Sequence, residues 1–265
     1  MKKNSETAQI RELLKELHLP TMRENFEQKA TEALQEQSGY LTFLRELLEL
    51  EYTQRRQKSV QRRLRESNLP LEKNFDTFEL DRLPQKLKHQ IKVLREGFFL
   101  DRCENVLAFG CPGAGKSHLI AALGQELVRG GRRVYFTSTS LMVQELLRAK
   151  SELRLDKHIK KLTCFDAIII DDIGYVQQDR QEMEVLFTLL AARYERGSLM
   201  ITSNLQFSKW ESIFKDPMTT AAAIDRLVHH SVILELDVPS YRMEHAQQNN
   251  RKNRKGDTEN ENNSK

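Results

Sequence analysis

Apolar residues recur at spacings of three and four through the first quarter of the chain. Ile10, Leu13, Leu14 and Leu17 form one set, and Tyr40, Leu41, Phe43, Leu44, Leu47, Leu48 and Leu50 form a second. A stripe of this kind marks a helix that buries one face, so residues 7–65 are expected to make a small module of three or four helices. Pro20 fits a turn after His18 and Leu19, and Ser38-Gly39 suits the start of the second long helix. Residues 68–83 mix Pro, Asn and Asp with isolated aromatics and read as a linker that docks on the next domain. Beyond residue 100 the periodicity changes. Short apolar runs at 105–109, 133–137, 167–170, 198–202 and 231–236 alternate with helical stretches at 116–128, 139–150 and 182–194. Alternation of strand and helix implies βαβ units and a mainly parallel sheet covered by helices, with 167–170, apolar throughout, near its centre. The expected fold is therefore α/β with five strands, preceded by a small all-α domain. Expected boundaries are 1–68 for the helical domain, 69–245 for the α/β domain and 246–265 for a polar, disordered tail without apolar anchors.

Composition narrows the picture less than position does. The 265 residues carry 42 Lys and Arg against 38 Asp and Glu, a net charge of +4. With 39% hydrophobic and 30% charged residues, the chain can bury a core and is expected to be soluble. It has no run long enough to span a membrane, and the opening lysines are followed by no apolar stretch, so a cytoplasmic location without membrane contact is expected. Cys103, Cys111 and Cys164 lack the count and spacing of a disulfide framework or zinc knuckle and read as reduced thiols. His229 and His230 have no other metal ligands nearby in sequence and read as structural. The small total conceals two local patches. Residues 52–65 hold Arg55, Arg56, Lys58, Arg62, Arg63 and Arg65 with no acidic residue, and residues 150–161 hold Lys150, Arg154, Lys157, Lys160 and Lys161. Both patches are candidate phosphate-contacting surfaces; each could equally be a solvated helical face.

The sharpest chemical signal lies between the first strand and the helix after it. Gly110-Cys111-Pro112-Gly113-Ala114-Gly115-Lys116-Ser117 matches the Walker A pattern in full, in the strand-to-helix context that its mechanism requires. Its glycines let backbone N–H groups curl around a β-phosphate, and the helix adds its positive dipole end. Lys116 reaches the β- and γ-phosphates, and Ser117 coordinates Mg2+. His118, next along, reads as helix packing at the edge of this cofactor loop. Ile168-Ile169-Ile170-Asp171-Asp172 is an apolar strand that delivers two carboxylates at its end, the Walker B pattern. Asp171 is assigned to Mg2+, through water, and Asp172 to orienting or activating the attacking water. Asp172 is shorter than Glu and has farther to reach, which points to slow turnover. Asn204, at the end of Ile201-Thr202-Ser203-Asn204, offers a donor and an acceptor with which to hold that water or sense the γ-phosphate.

Together with AAAIDRLVHHS and the PSYR at 239–242, these motifs resemble the IstB-like ATP-binding proteins, transposition helpers within the AAA+ superfamily. The likeness spans nearly the whole chain and extends to the DnaC-type helicase loaders. It implies an AAA+ P-loop ATPase core that binds and hydrolyses ATP with Mg2+. It also implies that Arg226 is an arginine finger completing the site of a neighbouring subunit, and hence a homo-oligomer with shared ATP sites. Arg242 takes the place of a second sensor, and Arg193 and Arg196 could face an adjacent nucleotide or equally serve a capping or surface role. In the initiator-like branch of the superfamily the 150–161 region forms a helix toward the nucleic acid. The partners implied are duplex DNA, which the oligomer would bind and remodel, and a cognate transposase in a bacterial cytoplasm. A helicase loader is the competing reading.

Overall fold

The computed structural model describes residues 2–174, 179–206, 209–210 and 217–241. The expected tail lies outside the described residues, as does Arg242. The chain divides into two units, Met1–Arg62 and Arg63–Lys265.

The first unit contains α1 (Lys2–Glu16), α2 (Pro20–Gln35) and most of α3 (Tyr40–Glu66). Pro20 opens α2, a position where its missing N–H costs nothing, after a reversal through left-handed backbone at His18 (φ 55°). Met22, Phe26 and Leu47 form its buried core, with Leu14, Leu19 and Phe43 packed against them. No side chain of the residue preceding α2 caps that helix. Glu51 of α3 does so instead. It accepts the Met22 amide at 3.0 Å while Arg55 Nε donates to its other oxygen at 2.7 Å. Burial opposes the charge on Glu51, but these hydrogen bonds outweigh it and hold the carboxyl below the usual Glu range.

The second unit is built on five parallel strands: β1 (Asn105–Gly110), β2 (Val134–Ser138), β3 (Ala167–Ile173), β4 (Ser198–Ser203) and β5 (Ser231–Leu236). Their order is β2-β3-β4-β1-β5. Every expected strand is present, with no end moved by more than three residues and β5 unchanged. Alternating residues feed two cores. Val106, Ala108 and Ile169 pack on one face with α4 (Gln85–Arg95), α5 (Phe98–Asp101) and α6 (Lys116–Arg129). Leu107, Phe109, Ile168 and Ile170 pack on the other with α7 (Thr139–Ser151), α8 (Leu155–Leu162), α9 (Arg180–Arg193) and α10 (Pro217–Val228). Leu64 and Leu69 join the first of these cores, so the linker is packed structure in the second unit.

For Arg193 the structure decides between the two readings, in favour of a capping role. Its side chain is 1% exposed and cannot face a nucleotide on a neighbour. The guanidinium fans out to the carbonyls of Phe165 (2.6 Å), Ser198 (2.9 Å) and Asp166 (3.0 Å), tying the end of α9 to the starts of β3 and β4. Desolvation lowers its pKa to about 10, so it stays charged at neutral pH.

Candidate nucleotide site

In the observed strand order β4 lies between β1 and β3, so the C-terminal ends of these three strands are neighbours. That order brings residues 110, 172 and 204 to one edge of the sheet, where open parallel sheets bind ligands. Residues 172 and 204, with the loop that follows residue 110, border a cavity of about 310 Å³ lined by Pro112 to His118, Asp172, Asn204, Lys73, residues 77–79, Arg82, Leu83, Val238 and Tyr241.

The loop is held in a shape that needs glycine. Gly113 (φ 83°) and Gly115 (φ 93°) adopt left-handed backbone, and a Cβ on Gly113 would collide with Ser240. Gly115 also ends the loop by capping α6. Lys116 is 5% exposed, and its Nζ donates to the carbonyls of Gly110 (2.9 Å) and Cys111 (3.0 Å). The ammonium is thus already removed from bulk water and folded along the loop, within reach of phosphate oxygens. Cys111 is exposed, and with Cys103 and Cys164 it is a free thiol.

Asp172 is aimed by a defect in the sheet. The β3–β4 register shifts between Ile170 and Ile173, and Asp172 sits at φ 60°, a conformation that Asp tolerates better than most residues. The bulge turns its side chain out of the strand's alternation and into the cavity. Thr202 on β4 stabilises the bulge from both sides. Its hydroxyl donates to the Asp171 carboxylate and accepts the Asp172 amide at 2.8 Å. Asp171, 9% exposed, stands behind the cavity wall. Ser117 is among the residues that line the cavity, and Asp171 directly precedes Asp172, which also lines it. Ser117 and Asp171 plus phosphate oxygens are a usual Mg2+ set, so the residues present fit the ion. Ser203 Oγ donates to the Ile173 carbonyl at 2.8 Å and accepts the Leu205 amide at 3.1 Å, which fixes the turn that presents Asn204. Thr202 and Ser203 thus support the site, although the sequence assigns neither a role.

The far wall is made by the segment expected to be a linker. Phe78 lies against Gly115, 3.1 Å from where a Cβ would stand, and contacts the His118 ring edge to face at 5.1 Å. Residues 238–241 close the side of the cavity, where the Tyr241 amide donates to the Gly113 carbonyl at 3.1 Å. Arg82 joins the two walls by donating to the Pro239 carbonyl at 3.1 Å and lying 5.2 Å from the centre of the Tyr241 ring.

Arg226, exposed on α10, does not line this cavity. It borders a separate cleft with Tyr194, Glu195 and His230. His229 and His230 are exposed and stack edge to face on each other at 4.2 Å. Among the basic residues of α3, Arg55 is engaged by Glu51 and the His18 carbonyl, and Arg63 donates to the Gly131 carbonyl. Arg56, Lys58, Arg62 and Arg65 are exposed on the same helix. In the second patch Lys150 pairs with Glu184 at 2.8 Å and Arg154 with Glu152 at 3.7 Å. Lys157, Lys160 and Lys161 are exposed on α8.

Comparison with known proteins agrees with this geometry. The family of IstB-like ATP binding proteins matches residues 12–249. An insertion sequence ATP-binding protein of Sinorhizobium fredii is 43% identical over 235 residues, covering 88% of this chain and 79% of that one. The insertion sequence IS21 ATP-binding protein of Pseudomonas aeruginosa is 34% identical, covering 87% of each chain. Among solved structures, the DnaC helicase loader superposes with a TM-score of 0.53 at 21% identity, over 62% of this chain and 96% of that one. DnaA from Aquifex aeolicus bound to AMPPCP superposes with a TM-score of 0.55 at 15% identity, over 70% and 57%. These structures share the AAA+ P-loop fold with the second unit. A complete Walker A loop, two carboxylates at the end of β3 and a match over most of the chain converge on one assignment: the chain belongs to the IstB-like ATP-binding proteins of insertion sequences.

Proposed function

We propose that this protein is a Mg2+-dependent ATPase that assembles on duplex DNA, completes each ATP site from a neighbouring subunit, and remodels the DNA for the transposase of its insertion sequence. The observation that carries the proposal is a separation. Lys116, Ser117, Asp172 and Asn204 surround one cavity, while Arg226 stands exposed outside it. A finger that cannot serve its own site is available to another copy's.

On this reading ATP lays its phosphates along the loop amides and the N-terminus of α6. Lys116 exchanges two carbonyl partners for the β- and γ-phosphate oxygens, which charge makes the stronger acceptors. Ser117 and Asp171 would hold Mg2+, which would neutralise phosphate charge. Asp172 accepts a hydrogen bond from the attacking water and Asn204 fixes its orientation. Arg226 of the adjoining subunit stabilises charge developing on the γ-phosphate. Exposed cations of α3 and α8 supply backbone contacts to DNA, and their number grows with each subunit added. The relatives named for insertion sequences favour this role over helicase loading, since the likeness to the loader is one of fold.

Phosphate release measured with and without duplex DNA tests the enzymatic part. The wild type is expected to turn over slowly and faster on DNA, whereas Asp172→Asn binds ATP with turnover reduced by about 100-fold or more. Wild-type release no faster than that of Asp172→Asn under both conditions would remove the ATPase assignment.

A further inference from the structure

Residues 70–83 run without regular secondary structure beyond one short 3-10 turn; local bonds such as Lys73 N–H to the Pro70 carbonyl and the Thr77 hydroxyl to the carbonyls of Glu72 and Asn74 shape the segment but do not tie it to the rest of the domain. Two side chains of α6 provide that tie. His118 Nε2 lies 3.0 Å from the Asn74 carbonyl and 3.2 Å from the Thr77 hydroxyl. Gln125 Nε2 donates to the carbonyls of Pro70 at 3.0 Å and Lys73 at 2.9 Å. His118 and Gln125 are seven residues apart, two turns along one helix face. A carbonyl can only accept, so the His118 bond places the proton on Nε2. The helix that begins in the phosphate loop therefore grips this segment at two points. The grip nearer the phosphates is the residue directly after Ser117.

The segment so held forms one side of the cavity. With a triphosphate on the loop between Gly113 and Ser117, the nucleoside must extend into the remaining space. That space is bounded by Lys73, residues 77–79, Arg82 and Leu83 on one side and by Val238 and Tyr241 on the other. Phe78, the apolar member of the wall nearest the loop, keeps its place by contact with the His118 ring.

We propose that His118 is a positioning residue for the nucleoside: it holds the 73–83 wall, with Phe78, against the base while contributing nothing to the triphosphate grip. The inference rests on the ATP reading of the cavity and adds how the base end of that site is kept in register with its phosphate end. It also separates two roles that one loop motif merges. Ser117 addresses the phosphates, and the next residue addresses the wall.

Calorimetric binding of ATP and of inorganic tripolyphosphate to the full chain tests this, because only ATP carries a base. For His118→Ala the expected result is ATP binding weakened about fivefold to tenfold, as for one lost hydrogen bond plus a loosened contact, with tripolyphosphate binding within about twofold of wild type. His118→Gln, whose amide nitrogen can reach the Asn74 carbonyl, is expected to recover most of the loss. Thr77→Ala, which leaves α6 untouched, is expected to shift ATP alone and by less. Equal weakening of both ligands by His118→Ala would reduce the residue to general support of the loop, and unchanged ATP affinity would remove the role altogether. Wild-type protein that binds neither ligand would overturn the ATP reading itself, a result distinct from either of these.

Discussion

On the proposed reading the two carboxylates near the end of β3 take different jobs, and one hydroxyl separates them. Thr202 donates to the Asp171 carboxylate and accepts the Asp172 amide, so it stabilises the bulge and the left-handed residue that turn Asp172 toward the cavity. Replacing Thr202 with Val keeps the shape and removes both bonds. The backbone is then free to relax into a regular ladder, and Asp172 swings out of position. Turnover is expected to fall about tenfold or more with ATP affinity changed by less than about threefold, because a misplaced catalytic group costs rate before it costs binding. A steady-state measurement of kcat against KM reads the two apart; a loss confined to KM would mean that the bulge does not aim the carboxylate. Little of this is legible in the sequence. The aspartates and Asn204 announce themselves as polar residues at the ends of apolar runs, but the role of Thr202 exists only once β4 lies beside β3. The fate of Arg193 is equally hidden, since a guanidinium near a helix end reads the same whether it meets solvent or three buried carbonyls.

The strands and the helices after them are legible because short apolar runs and three-to-four spacings survive any packing. Helix α4 carries Leu87, Ile91 and Leu94 at spacings of four and three and is within reach of the same rule. The linker escapes it for a different reason. Pro, Asn and Asp report irregular backbone, and nothing in their order says that α6 will grip it and make it a cavity wall. In the first unit, an element-level consequence comes from Glu51, which caps α2 from α3. Its pKa is lowered in the folded state, so its contribution is complete above the unfolded value, about 4.3, and is lost as pH falls through the folded one. Amide exchange in α2 is therefore expected to accelerate below about pH 4. Glu51→Gln is expected to exchange faster already at neutral pH and to lose the acid step. A variant with the wild-type acid profile would show that another carboxylate carries it.

For the whole molecule, the near-neutral total of +4 hides an uneven surface. Arg55 and Arg63 are committed within the fold, as are Lys150 and Arg154 to acidic neighbours, which leaves Arg56, Lys58 and Arg65 on α3 and the lysines of α8 as the exposed cations best placed for phosphates. On the proposed reading such a monomer would bind DNA weakly by charge alone, and arraying copies by ATP would multiply its contacts. Assembly through shared ATP sites is thus the central claim, and subunit mixing tests it most directly. Arg226→Ala retains an intact cavity without a finger to give, and Asp172→Asn retains the finger without a working cavity. ATPase activity on duplex DNA is expected to be near background for each alone. A one-to-one mixture is expected to reach about a quarter of the wild-type rate, the share of interfaces that join a whole cavity to a whole finger when subunits pair at random. A mixture as inactive as its components, although both are confirmed in the same assemblies, would contradict the account.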